Sequence, residues 1–336
     1  MHVPASITVR AGRTGSHLQG IAYDPEGRHL YLSFTTCLIK ADLTGRVLAS
    51  VEGIVGHLGC IAWNGEERRV YASLEYKNDE IGRGILKNIG HGGELPVGFY
   101  MARFDADKMD RPGMDAAADG VMEAVYLQEV YEDFTAPGHS YGCSGIDGCT
   151  FAPAPGGGEG ERYLYVAYGI YDNQPRSDND RQVLLAYDVS DWDRYARPLQ
   201  RSAIHRSGPD VPAQKLFVYT GSTHYGIQNL EYDSHSRTMM AAVYPGKKPE
   251  FPNYSLFFID AAVPPQDGML ALTDFAGHSD YRFCGSHFPY GAEGLCALGG
   301  GYFYIGRDRQ EGGEHSGLVE LWRFDGEELT FHRVEE

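Results

Sequence analysis

Five times along the chain a histidine is followed, after a short spacer, by an apolar run with strand character. The first two copies read His17-Leu18-Gln19-Gly20-Ile21-Ala22-Tyr23-Asp24 and His57-Leu58-Gly59-Cys60-Ile61-Ala62-Trp63-Asn64. A longer copy runs from His139 through Ile146-Asp147-Gly148-Cys149-Thr150-Phe151. The fourth is His224-Tyr225-Gly226-Ile227-Gln228-Asn229-Leu230-Glu231-Tyr232-Asp233, and the fifth runs from His287 through Glu293-Gly294-Leu295-Cys296-Ala297. Such repetition narrows the fold sharply, because a unit that cannot bury its own apolar face must bury it against its copies.

Each copy has the same sequel. A turn leads to a strand rich in Tyr and β-branched residues at 30–34, 70–74, 163–168, 239–244 and 302–305. A third strand ends in or near Asp at 38–42, 100–105, 183–188, 256–260 and 319–325, and a weaker fourth lies at 47–51, 124–130, 215–219, 270–275 and 329–334. Period-2 alternation bounded by Gly, Asp and Asn predicts strands throughout, and no segment carries a helical period. Four antiparallel strands repeated five times predict an all-β, five-bladed β-propeller spanning 1–336 as one domain. Residues 7–10 are placed to complete the last blade beside the C-terminal strand, which closes the ring and removes a sheet edge. Six blades is the alternative, because longer intervals separate His57, His139 and His224. Each of those intervals holds one blade's strands, with the excess in loops rich in Gly, Pro and Asp.

Composition excludes several partners. Asp plus Glu number 46 against 29 Lys plus Arg, a formal net charge of −17. Such a surface repels phosphate backbones and anionic membranes. No apolar run reaches the roughly 20 residues of a membrane helix. No secretory signal is visible in the first residues. The six cysteines (37, 60, 143, 149, 284 and 296) form no CxxC pair, and Cys60, Cys149 and Cys296 read as buried small hydrophobes. A reduced, cytoplasmic setting is expected, and a trimmed secreted chain would read the same way.

In a propeller the innermost strands all start at one face, near the axis. His17, His57, His139, His224 and His287 therefore converge on one mouth of the channel. Neutral imidazole is the commonest protein metal ligand, and several at one point suit Zn, Mn, Fe or Ni better than Ca. A structural histidine bonded to a carbonyl is the competing reading for each. One layer deeper lies a second ring of Gln19, Gly59, Asp147, Gln228 and Glu293. Asp147 and Glu293 are its acid–base candidates. Loops at 77–98, 171–181, 245–254 and 307–317 open on the same face. They contribute Glu75, Lys77, Tyr171, Asp172, Tyr244, Lys247, Arg307 and Arg309 as candidate contacts for a small-molecule substrate, joined by Gln19 and Gln228. Cations beside aromatics suit an anionic sugar, since Arg pairs with carboxylate and rings stack on sugars. Gly156-Gly157-Gly158 is not a phosphate loop, because no helix follows.

An acidic or amide residue followed by Gly on the innermost strand, as in Gln19-Gly20, Asp147-Gly148 and Glu293-Gly294, resembles the gluconolactonase class of propellers. That resemblance implies an axial divalent cation held mainly by carboxylate and Asn. The histidines depart from it, and look more like the carotenoid-cleaving oxygenases or oligogalacturonate lyase, both seven-bladed. Five-bladed glycosidases carry three channel carboxylates, for which Asp147 and Glu293 supply two. The functional expectation is a metal-dependent lyase, hydrolase or isomerase acting on a small, carbohydrate-derived anionic substrate. A non-catalytic binding propeller and a metal-independent glycosidase are the alternatives.

Overall fold

A computed structural model describes residues 3–12, 16–88, 90, 93–158, 160–200, 204–273, 285–326 and 329–335. The strands form five separate sheets, one per blade. The innermost strands are Leu18–Asp24, His57–Asn64, Cys143–Pro153, Thr223–Asp233 and Leu295–Gly299. Each touches the next, and the last touches the first, so the ring is closed with five blades rather than six. The apolar clusters lie between neighbouring blades, where each sheet buries one face against the next.

Ring closure follows the expected scheme with one refinement. The third strand of blade five, Glu314–Asp325, is long enough to take two partners end to end. The N-terminal strand Ser6–Gly12 pairs with its first half, Ile7 opposite Val319, and Thr330–Arg333 pairs with its second half. Both chain ends therefore share one blade.

The outer edges of blades one to three are covered by a device not read in the sequence. The loop before the fourth strand of each of blades two, three and four reaches back to the outer edge of the preceding blade. Met114–Asp115 pairs in parallel with Val51 and Glu52 of blade one. Arg197 bridges Ala124 of blade two, and Met269–Leu270 pairs in parallel with Phe217 and Val218 of blade three. Unpaired edge strands template aggregation, so each insertion caps a liability as it links blades.

Four details differ from the sequence expectation. Two helices exist, α1 (Glu80–Asn88) inside the 77–98 loop and α2 (Gln128–Thr135) where the fourth strand of blade two was extended to 130. Both are short and amphipathic, and each is too brief to stand out from its surroundings. The 307–317 segment is no loop: Tyr302–Glu311 and Glu314–Asp325 pair along their whole length around a Gly312-Gly313 turn. In blade four the outer strand is split, with Leu272 bridging Ile259 and Gly285–Ser286 pairing with Leu256 and Phe257. The end of the expected 270–275 strand, and Cys284, lie outside the described residues. The five described cysteines are free and buried.

Innermost strands pack closely enough to explain the glycine after the polar residue. A Cβ on Gly20 would sit 2.9 Å from the Ile61 backbone nitrogen and 3.0 Å from the Cys60 Cα. Backbone cannot step aside as a side chain can, so Gly20→Ala is expected to destabilise the fold by about 1–3 kcal/mol. A lowered urea midpoint with unchanged m-value checks this.

Candidate active site

The second-ring residues owe their direction to irregular strand pairing. The innermost ladders of blades one to four all skip residues: between Leu18 and Gly20, between Leu58 and Ile61, between Ile146 and Cys149, and between Ile227 and Asn229. Gln19, Gly59, Asp147 and Gln228 are therefore bulge residues, released from the ladder. Bulges re-aim side chains beside active sites. In blade five, Glu293 stands just ahead of its strand.

The histidines do not form one ring. His17 is bracketed by carboxylates, with Nε2 3.4 Å from Glu293 and Nδ1 3.4 Å from Asp308. The Asp308 N–H donates to Glu293 Oε2 at 2.7 Å, and His315 Nδ1 lies 3.2 Å from Asp308. His57 Nδ1 is 3.7 Å from Glu75, and His224 Nδ1 is 3.3 Å from Asp172. His139 instead bonds the Phe134 carbonyl and packs against Phe134 and Tyr171. His287 follows the split outer strand of blade four, is exposed, and packs on Tyr254. Among the described residues no three His, Cys, Asp or Glu side chains converge as metal ligands do. Among the described residues the five imidazoles are thus divided between three imidazole–carboxylate pairings and two packing contacts, and do not meet at one point.

Glu75 and Lys77, expected on the rim, are buried at 3% and 7% side-chain exposure. Lys77 Nζ is 2.7 Å from Glu75 and 3.7 Å from Asp79, and donates to the Ser144 carbonyl at 2.9 Å. Glu75 Oε1 accepts the Ile146 N–H at 2.5 Å. Gly145 sits at φ +131°, and a Cβ there would overlap Glu75, so only glycine lets this carboxylate reach the strand of blade three. Burial works against ionised Glu75, yet Lys77 and His57 hold it below the usual carboxylate range. Burial also opposes protonated His57, but Glu75 and Asp147 raise it above the ordinary imidazole value.

Asp147 is the exposed end of this network in chemistry though not in area. It is 8% exposed, and its Oδ1 has no hydrogen-bond partner. Burial pushes its carboxyl up to about 7, with Glu75 adding repulsion, while His57, Lys77 and the Cys60 N–H oppose the rise. Across the mouth, burial and the carboxylates of Glu293, Asp147 and Asp308 raise the Tyr244 phenol. Tyr244 lies edge-on to Tyr225, which packs on His224. Tyr244, Glu293, Asp308, Arg307 and Arg309 line a cavity of about 310 Å³.

The remaining candidates are tied elsewhere. Arg307 pairs with Glu320 and covers the Tyr290 ring. Tyr171 donates its hydroxyl to Asp79 at 3.2 Å. Gln19 donates to Thr35 and Gln228 to the Tyr225 carbonyl. Lys247 and Arg309 are exposed. The expected binding of an anion by Lys77 and Arg307 is not supported by their placement, because both cations are already neutralised.

Sequence reasoning missed Glu231. It lies on the innermost strand of blade four, beside a cavity of about 250 Å³ at the opposite mouth. It accepts the Ala297 N–H at 2.9 Å, and burial pushes its carboxyl up to about 8. Between the mouths, Asn229 donates to the Gln19 and Ala292 carbonyls and meets the Cys60 thiol, plugging the axis. A signal was present: Asn229 and Glu231 stand two apart and share a strand face. Because Glu231 binds its proton more tightly folded than unfolded, its contribution to stability is lost as pH rises from about 4.5 to about 8. Glu231→Gln should therefore gain roughly 2–4 kcal/mol over the wild type at pH 9 and nothing at pH 4, read from paired urea titrations.

No family model matches the chain, and no curated protein matches it. Similar solved structures include a functionally unknown protein from Desulfotomaculum acetoxidans, 10% identical, covering 95% of this chain and 69% of that one, TM-score 0.39. The soluble aldose sugar dehydrogenase from Escherichia coli in the apo-form is 9% identical, with 94% and 99% coverage and TM-score 0.39. U3-55K is 10% identical, with 98% and 84% coverage and TM-score 0.41. Likenesses this distant assign no activity.

Proposed function

We propose that the histidine-lined mouth is an acid–base catalytic site for a small, hydroxyl-rich, carbohydrate-derived substrate. The observation that carries this reading is Asp147: a carboxyl buried on a bulge, with one oxygen unpartnered and a proton affinity near neutrality. A group poised near working pH serves as general acid below about 7 and general base above it. Such perturbation beside a specific charge network marks functional sites more often than structural ones. Glu293, held by the Asp308 N–H and facing His17, is the second carboxylate available to a reacting centre. Tyr244 and Tyr225 offer ring faces to a sugar.

The test is a screen of methyl and nitrophenyl glycosides and sugar lactones between pH 5 and 9, with Asp147→Asn as the control. Turnover that follows one ionisation near pH 7 and disappears in the variant supports the reading. Turnover by Asp147→Asn equal to wild type overturns it. Loss of activity in chelator would instead place a metal in the mechanism.

A further inference from the structure

The charges at the mouth are unevenly matched. Among the described residues, Glu75 and Asp79 share one lysine, Lys77. Arg307 and Arg333 are both spent on Glu320. Asp172, Glu293 and Asp308 have only imidazoles as ionisable partners within 4 Å among the described residues. A neutral imidazole leaves the carboxylate charge uncompensated. Asp147 adds a carboxyl that is more than nine-tenths buried, with Oδ1 lacking any partner. Tyr244, Glu293 and Asp308 line one cavity of about 310 Å³, which puts two further acids beside one aromatic ring.

We infer that the substrate of this site carries a protonated amine, as an amino sugar does, with the ammonium taken up between the Tyr244 and Tyr225 rings and the carboxylates of Glu293 and Asp308. This rests on the carbohydrate reading above and narrows it. Ammonium groups are attracted to the faces of aromatic rings, more strongly where water is excluded. Carboxylates on the same side supply charge-assisted hydrogen-bond acceptors. Three N–H donors on one nitrogen match several acceptors. An anionic sugar meets the reverse: its carboxylate would face Glu293 and Asp308, with Arg307 already held by Glu320 and the exposed Arg309 as the one cation of that cavity left to meet it.

The experiment is titration calorimetry at pH 7 with methyl glucosaminide, methyl glucoside and methyl glucuronide on the full chain. The expected order is amine tighter than neutral by tenfold or more, with the uronide weakest. The preference for the amine should shrink as salt is raised from 20 to 500 mM, since ion attraction is screened. Glu293→Gln should remove most of the amine preference, read as the ratio of amine to neutral affinity in the variant against the same ratio in the wild type. Circular dichroism confirms that the variant is folded, and Asp308→Asn provides a second variant if it is not. Equal affinity for amine and neutral glycosides overturns the inference and leaves the carbohydrate reading standing. Tighter binding of the uronide overturns it in favour of an anionic substrate. Absence of binding by all three, and by the corresponding galactosides, overturns the carbohydrate reading and this inference with it.

Discussion

Asp147→Asn is expected to lower turnover by about 10²–10⁴-fold and, at pH 8, to make the folded protein more stable. The two effects have one cause. The carboxyl is buried without a partner for Oδ1, and burial first, then Glu75, raises it from 3.8 to about 7. Below pH 4 the group is neutral in both folded and unfolded chains, so it does not weaken the fold. Between pH 4 and 7 the unfolded chain gives up its proton while the folded chain keeps it, and stability falls across that window. Above about 7 the folded group ionises too, and the loss levels off. Each unit of displacement is worth 1.36 kcal/mol, so the window amounts to about 2–4 kcal/mol. Asn occupies the same space, can accept the Cys60 N–H through its carbonyl, and never ionises. Urea midpoints for wild type and variant should therefore coincide or favour wild type at pH 4, and favour the variant at pH 8. Sites held in a costly ionisation state often trade stability for activity in this way. A variant whose stability relative to wild type is no greater at pH 8 than at pH 4 would show that Asp147 is well solvated or paired, and would remove it as the proton-transfer group.

The sequence was informative where one strand repeats another. The His–spacer–strand unit, the Tyr-rich second strand and the third strand ending near Asp each recur five times, and recurrence separates signal from local accident. The N-terminal strand was placed correctly for the same reason, as a strand preceding a histidine where every later copy has one. What lay between copies was harder to read. α1 and α2 occur once each, and the strands that cap neighbouring blades are two residues long. The site was legible by position and not by partner. Asp147 and Glu293 could be placed on the channel because each stands two residues before the shared apolar position of its repeat. That Lys77 turns inward to Glu75, or that His139 turns to the Phe134 carbonyl, depends on how blades two and three meet. Pseudo-symmetry predicted five equivalent histidines, but Asp172 and Glu75 stand beside two of them and Tyr254 beside another. Each blade has kept the residue and changed its surroundings.

Lys77→Met should cost about 3–5 kcal/mol of stability, the largest loss expected from any single substitution at this face. The methionine fills the volume of the lysine stem, so packing is nearly conserved. What it removes is the only ammonium between Glu75 and Asp79, together with the donor to the Ser144 carbonyl. Glu75, at 3% exposure, would then be an unpaired carboxylate retaining only the Ile146 N–H and the more distant His57. Removing one member of a buried pair is strongly destabilising, whereas replacing both by uncharged groups of similar shape is often close to neutral. The double variant Glu75→Gln with Lys77→Met should accordingly recover much of the loss, because Gln can still accept the Ile146 N–H. Denaturant unfolding of wild type, both single variants and the double variant gives the coupling energy directly. Glu75 repels a charge on Asp147 while Lys77 and His57 attract it, so the single variant should also raise the Asp147 carboxyl and move any activity profile to higher pH. A double variant as unstable as the lysine variant would mean that the loss comes from the Ser144 contact or from packing. In that case the Glu75–Lys77 pair would not be what holds blade two against blade three at the mouth.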